Sequence, residues 1–147
     1  MALKPDRIEL QTDISFFMNT EAVRGGVASV STGGAGASMD DGNAVVSYAA
    51  SATGAKPVGI LLNDVVNLDL TRQHINWHRD EVQVGGKVTL LQVGQVTTDK
   101  VSGTPAAGDL AYVGASGLIA TSGSVIVGKF LSGKDADGFA KVAVNIA

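Results

Sequence analysis

The sequence predicts an all-β protein, and two observations support this. The last third of the chain, Gly108 to Ile146, divides into short apolar runs separated by glycine-containing turns. In its final run Val142, Val144 and Ile146 share one face, which is the two-residue period of a half-buried strand. The 147 residues also include 19 glycines and many valines, serines and threonines, a composition that favours strands and turns over helices. We therefore expect a small β-barrel or sandwich-like body built from hairpins.

Length and composition exclude several classes of protein. The chain is long enough for one domain with an ordinary core. A net charge of -3 argues against sequence-independent binding to nucleic acid, which requires a basic face. Without cysteine, neither disulfides nor thiolate metal sites can form. No apolar run approaches the roughly 18 residues that a membrane-spanning helix needs, and the start lacks the apolar core of a signal peptide, so we expect synthesis and folding in the cytosol.

The N-terminal segment is predicted to be a long strand. From Arg7 to Phe16 apolar and polar residues alternate, and more apolar residues follow directly. The apolar residues, which we take as a candidate interface with another subunit, are Ile8, Leu10, Ile14, Phe16, Phe17 and Met18. The segment is either a strand of the domain's own core or an arm that adds to the sheet edge of a neighbour. We accordingly divide the chain into an arm, residues 1–18, and a β-rich domain, residues 19–147.

Short apolar runs between turns predict the strands that follow. These strands are Val27–Ser31, Ala44–Ala49, Val58–Leu62, Val65–Leu70 and Lys87–Thr98. Residues 19–26 are compatible with one helical turn or with a loop, and residues 32–43 are predicted to be an exposed loop. Residues 71–80 are polar enough for a partly exposed connection. A bulge is expected at Gly94, because glycine inside a strand often marks one.

The last third is predicted to contain four strands that close the sheet as a meander. They are Leu110–Val113, Leu118–Thr121, Val125–Leu131 and Phe139–Ile146. Glycines in the intervening turns supply the positive φ angles that tight hairpins need. The whole chain then holds roughly ten strands, spaced as in an all-β sandwich or barrel.

Nothing in the sequence predicts catalysis or a cofactor. His74 and His78 are the only histidines, and in an extended segment they lie too far apart to chelate one ion easily. Residues 123–130 nearly match a phosphate-binding loop, but Phe130 stands where serine or threonine should reach magnesium. Asp135 to Gly138 does not fit a calcium-binding loop, and its aspartates are better explained by bonds to local backbone amides.

Several segments, in their order and spacing, resemble the small capsid decoration (cement) proteins of tailed bacteriophages. These segments are Pro57–Val65, Gly86–Leu90, Ala107–Val113, Ser116–Ile119, Val127–Phe130 and Asp137–Val142. Together they extend over about two thirds of the chain, and Ala107–Val113 carries the resemblance most strongly.

The resemblance implies a structural, non-enzymatic virion protein with a β-rich, barrel-like body. It implies binding to the major capsid protein on the outer surface of the shell, as a homotrimer at threefold positions, after synthesis in the host cytoplasm. It implies no small-molecule substrate, cofactor, nucleic acid or membrane partner. The apolar N-terminal residues then become the candidate interface with the capsid or a neighbouring subunit.

A second class of function remains open at this stage. A small β-barrel of a phage fibre or adhesin could bind a carbohydrate or a receptor. Such a module would show a cluster of exposed aromatic side chains beside polar loops, and the sequence offers only Trp77 with Tyr112 or Tyr48.

Overall fold

Backbone pairing in the computed structural model confirms the all-β fold. The structure describes residues 3–31, 45–62, 67–68, 78–79, 81–82 and 85–146. Within these ranges the strands are β1 (Ile8–Met18), β2 (Ala22–Val23), β3 (Val27–Val30), β4 (Val45–Ser47), β5 (Pro57–Leu61), β6 (Asn67–Leu68), β7 (His78–Arg79), β8 (Glu81–Val82), β9 (Lys87–Thr98), β10 (Leu110–Val113), β11 (Ile119–Ala120), β12 (Ile126–Phe130) and β13 (Ala140–Asn145). The helical structure in the same ranges is one 3₁₀ turn, Ala115–Gly117.

Nine strands form one mixed sheet in the order β1-β4-β3-β5-β9-β13-β12-β10-β11. Strand β1 pairs with β4 in parallel and also with β9 in antiparallel fashion. The five strands β1, β4, β3, β5 and β9 are thus joined in a closed circuit of backbone pairings. The long strand β9 pairs with β1 from Lys87 to Gln95 and with β5 at Leu90 and Leu91. Its second half also pairs with β13, through which the remaining strands join the sheet.

The last four strands do not follow the predicted meander order. Strand β12 pairs with β10 and β13, not with β11. The edge of β11 that does not pair with β10 is taken by another segment of the chain. Ile119 forms a parallel bridge with Val101 there and donates its N–H to the carbonyl of Lys100 at 2.8 Å. The chain after β11 therefore returns to the opposite edge of β10.

Two apolar clusters fill the fold, and β5 and β9 separate them. The second cluster lies inside the closed circuit, and its buried residues on the circuit strands are Met18, Ala28, Val46, Leu61, Val88 and Leu90. The first cluster packs the outside of the circuit against the last four strands, and includes Ile60, Leu91, Val127, Phe130 and Val142. Successive residues of a strand point to opposite faces, so the neighbours Ile60 and Leu61 enter different clusters.

Tyr48 connects the segment between β2 and β3 with the 3₁₀ turn Ala115–Gly117. Its hydroxyl donates to the carbonyl of Val23 and accepts from the N–H of Gly26, and burial raises the pKa of this phenol. Its ring also packs on Gly117, where a Cβ atom would lie 2.5 Å from the ring. A side chain at either glycine would therefore displace the tyrosine.

Several local predictions can be compared with the described residues. Residues 19–26 form no helical turn, since they contain the short strand β2 and a turn at Gly25 with φ 99°. The predicted irregularity lies at Gly94, but the extra residue belongs to the facing strand β1. The loop at 32–43 and most of the connection at 71–80 lie outside the described residues.

Candidate interface on the outer face of the sheet

One row of directly paired residues crosses five strands of the sheet. Gln95 pairs with Ile8 on one side and with Ala143 on the other. Lys129 pairs in turn with Ala143 and with Leu110. Directly opposed residues of antiparallel strands project to the same side, so all five lie on one face. We call this the outer face, and with strands about 4.8 Å apart the row spans ~19 Å.

The strand at the N-terminal end of this row, β1, carries three exposed apolar side chains. Ile8, Leu10 and Ile14 keep 48%, 75% and 61% of their surface in contact with solvent. We call Ile8–Ser15 the outer half of β1. Three large apolar side chains left exposed on one strand favour an interaction site.

The last residues of β1 lie in a different environment. Met18 is completely buried in the second cluster, and Phe16 packs against the same cluster. Phe17 is half-buried and pairs with Lys87, whose ammonium lies 6.0 Å from the centre of its ring. The six residues predicted as an interface are thus divided between an exposed outer half and three residues, Phe16–Met18, that pack against their own chain.

Bulges in β1 direct the exposed side chains outward. Glu9 pairs with Gly94 and Gln11 with Val93, so Leu10 is an extra residue without an opposite partner. Further along, Ile14 and Ser15 together face only one residue of β9. Extra residues of this kind bend the strand and redirect its side chains. The sequence predicted an irregularity at Gly94, within β9, but it did not indicate the second bulge.

A carboxylate stabilises the second of these bulges. Asp13 accepts hydrogen bonds from the backbone N–H of Ser15 at 2.7 Å and from the Ser15 hydroxyl. These bonds favour the ionised form and hold the pKa of the Asp13 carboxyl below its usual value. At the start of the strand, Arg7 and Glu9 form an ion pair that flanks the exposed apolar residues. The outer half is therefore ordered before any partner binds.

A second exposed apolar group lies at the opposite end of the outer face. Leu110 and Ile126 are both about half exposed, and Ile126 pairs directly with the half-buried Tyr112. The sequence prediction did not include this group. Alternation in β10 could have indicated it, because burial of Ala111 and Val113 leaves Leu110 and Tyr112 on the outer side.

Where the structure describes residues of the candidate chemical motifs, those residues have structural roles. Asp135 accepts hydrogen bonds from the N–H groups of Asp137 and Phe139 at 2.9 and 3.0 Å, which confirms the predicted turn. These bonds, with Lys4 nearby, lower the pKa of its carboxyl. Lys129 lies within β12 and not on a loop. His74 lies outside the described residues, and His78 begins β7 with its side chain undescribed.

In the described part of the chain, no group of three or more histidine or carboxylate residues is placed to hold a metal ion. No helix in the same part is long and apolar enough to cross a membrane.

A family model described as "Structural cement protein (E217 gp24/Pam3 gp6)" matches residues 9–145, which is nearly the whole chain. No curated protein sequence gives a significant match.

Proposed function

Because this chain belongs to the family of phage structural cement proteins, we propose that it binds the outer surface of a phage capsid and stabilises the shell. Membership makes the protein a structural, capsid-associated component of the virion. The finer proposal, binding at the outer surface with stabilisation, rests chiefly on one observation. Three large apolar side chains of β1 are exposed on a strand that is already ordered by pairing with β9.

The energetics favour the outer half of β1 as the docking surface. Complete burial of a large apolar side chain contributes roughly 1.5–3 kcal/mol. Covering the surface that remains exposed on Ile8, Leu10 and Ile14 would contribute roughly 3–5 kcal/mol in total, before the cost of association. Since the backbone is already paired, little ordering entropy opposes this gain. Because one shell carries many copies, even a modest binding free energy per site adds up to a large stabilisation of the shell.

Stabilisation of the shell follows from linkage. A protein that binds the assembled lattice but not its dissociated subunits stabilises the lattice by its own binding free energy at every occupied site. We propose the major capsid protein as the partner, and three copies of this chain meeting at threefold positions. A reconstruction with single copies away from every threefold position would contradict the trimer.

The division of the chain into an arm and a domain stays a prediction. We propose that the docking part of the arm ends at Ser15. Phe16 and Met18 pack in the second cluster and Phe17 pairs with two strands of the body, so these residues act in the fold.

The alternative role in a fibre or adhesin has less support. Recognition of sugar rings usually uses exposed aromatic side chains next to polar groups. The Tyr48 hydroxyl is occupied within the fold and its ring packs on glycine, Tyr112 is half-buried, and Trp77 lies outside the described residues. In the described part of the chain, Tyr48 and Tyr112 therefore form no exposed aromatic platform.

The proposal is tested by replacing the three exposed residues together, as Ile8→Ser, Leu10→Ser and Ile14→Ser. Loss of roughly 3–5 kcal/mol should weaken binding to purified expanded capsids by at least about 100-fold, measured by co-sedimentation. The triple variant should stay folded and lose only roughly 2–3 kcal/mol of stability, because the covered parts of the three side chains together amount to about one buried side chain.

Ile126→Ser provides a matched control. It removes an isoleucine of similar exposure from the other end of the outer face, and it should bind capsids normally. A triple variant that saturates capsids at unchanged affinity would contradict the proposal. So would an Ile126→Ser variant that loses binding to the same extent.

A further inference from the structure

Residues 3–6 run along the end of β9 before β1 begins. Leu3 forms an antiparallel bridge with Thr98, and the backbone N–H of Lys4 donates to the carbonyl of Thr97 at 3.0 Å. We call residues 3–6 the strap. The strap leads directly into the outer half of β1, so its position fixes where that half begins.

The side chain of Leu3 anchors the strap in the body of the protein. Only 2% of this residue is exposed, and it packs in the first cluster. The next buried residue along the chain is Met18, in the second cluster. The outer half of β1 is therefore held by one buried side chain on either side of it, each in a different cluster.

Lys4 attaches the strap to the turn between β12 and β13. Its ammonium lies 3.4 Å from Oδ2 of Asp135 and 4.7 Å from the centre of the Phe139 ring. The turn offers a fixed partner, because the N–H of Asp135 donates to the carbonyl of Phe139 and its carboxylate accepts from the N–H of Phe139. This contact is exposed, so it should hold the strap less strongly than the burial of Leu3 does.

The outer half of β1 depends on its ends because its own pairing is limited. Among the described residues it pairs only with β9, and two bulges interrupt that pairing. A bulged strand with exposed side chains and one neighbour belongs to the part of a fold that opens locally at low cost. Residues 16–18 hold one end of the outer half, and the strap holds the other.

We propose that Leu3 and Lys4 are positioning residues for the docking surface: through the strap they keep the outer half of β1 paired with β9, in the arrangement that meets the capsid. This inference rests on the proposed function of the outer half. Both residues act through the strand and not by contact with the capsid. If the outer half opens, the fraction of molecules that can bind falls, and the apparent affinity falls in proportion.

Hydrogen exchange of the full chain, measured without capsids, tests whether the strap orders the outer half. Leu3→Ala should speed exchange at residues 8–12 by at least about tenfold, while residues 16–18 stay protected. Val127→Ala is the matched control, because it truncates a fully buried side chain of the same cluster in β12. It should lower the melting temperature without a selective effect on residues 8–12.

Lys4 allows a test that leaves the core intact. Lys4→Ala should speed exchange at residues 8–12 by about threefold. Lys4→Arg should keep the wild-type rate, because it preserves the charge and the contact with the ring. Unchanged exchange in both Leu3→Ala and Lys4→Ala would overturn the inference, as would an equal selective effect of Val127→Ala.

Binding to purified expanded capsids tests the consequence for docking. In a double variant, Leu3→Ala with Lys4→Ala, the open form should dominate and binding should weaken by about tenfold. Val127→Ala should bind normally. Normal binding by the double variant, when the triple variant of β1 loses binding, would overturn the positioning role and leave the proposed function standing. Normal binding by both the double and the triple variant would contradict both proposals.

Discussion

The two ends of β1 carry similar apolar residues and meet opposite environments. Ile8, Leu10 and Ile14 are largely exposed, whereas Met18 is completely buried and Phe16 packs against the same cluster. Among the described residues, the outer half pairs only with β9, while Phe17 pairs with both β9 and β4 and Met18 pairs with β4. The difference teaches that strand alternation sets which side chains share a face, and that the number of neighbouring strands decides whether the face is covered.

The largest effect is expected at the buried end. Met18→Ala removes a fully buried side chain from the second cluster and should lower the free energy of unfolding by about 2–5 kcal/mol. Urea denaturation followed by circular dichroism measures this change. A loss below about 1 kcal/mol would show that the cluster inside the circuit is not well packed.

A smaller effect that is confined to the outer half is expected at Gly94. A Cβ atom there would lie 2.1 Å from the carbonyl oxygen of Ile8, which forces the outer half away from β9. Gly94→Ala should cost about 1–3 kcal/mol and increase hydrogen exchange in residues 8–12. Amides of residues 16–18 should stay protected. Equal loss of protection at both ends would mean that β1 behaves as one unit.

Leu10→Ser sharpens the comparison because its effects on stability and on binding differ. Leu10 is the most exposed of the three side chains, so unfolding free energy should change by less than about 0.5 kcal/mol. Binding to capsids should nevertheless weaken by roughly tenfold, as expected when about 1–2 kcal/mol of apolar burial is lost. Leu110→Ser, at the other end of the outer face, is the matched leucine control and should bind normally.

The smallest effect concerns the carboxylate that orders the bulge. The pKa of Asp13 is lowered in the folded state, so its contribution to stability is present above the unfolded pKa and is lost as the pH falls through the folded pKa. Between pH 5 and pH 2.5 the wild-type protein should therefore lose slightly more stability than Asp13→Asn. Identical losses would show that the Asp13–Ser15 bonds do not stabilise the fold.

Much of the fold could be predicted because it follows from short-range patterns. Lys87–Thr98 and Leu110–Val113 form strands with the predicted bounds, and the aspartate of the Asp135 turn bonds local amides as expected. Pairing order was less predictable. The return of β12 to β10 depends on Val101 occupying the edge of β11, which is a contact between distant residues.

The candidate interface could be predicted only in part, because it too depends on pairing between distant residues. Alternation placed Ile8, Leu10, Ile14 and Phe16 on one face. The sequence indicated the irregularity at Gly94, but it contained no sign of the second bulge, before Phe16. That second bulge separates the exposed Ile14 from Phe16, which packs against the second cluster.

The most direct test of the account is a reconstruction by electron microscopy of capsids saturated with this protein. We expect β1 to remain paired with β9 of its own chain, and the side chains of Ile8, Leu10 and Ile14 to be covered by the capsid or by a neighbouring copy. A map in which these three side chains face solvent, with the protein attached through another surface, would contradict the account.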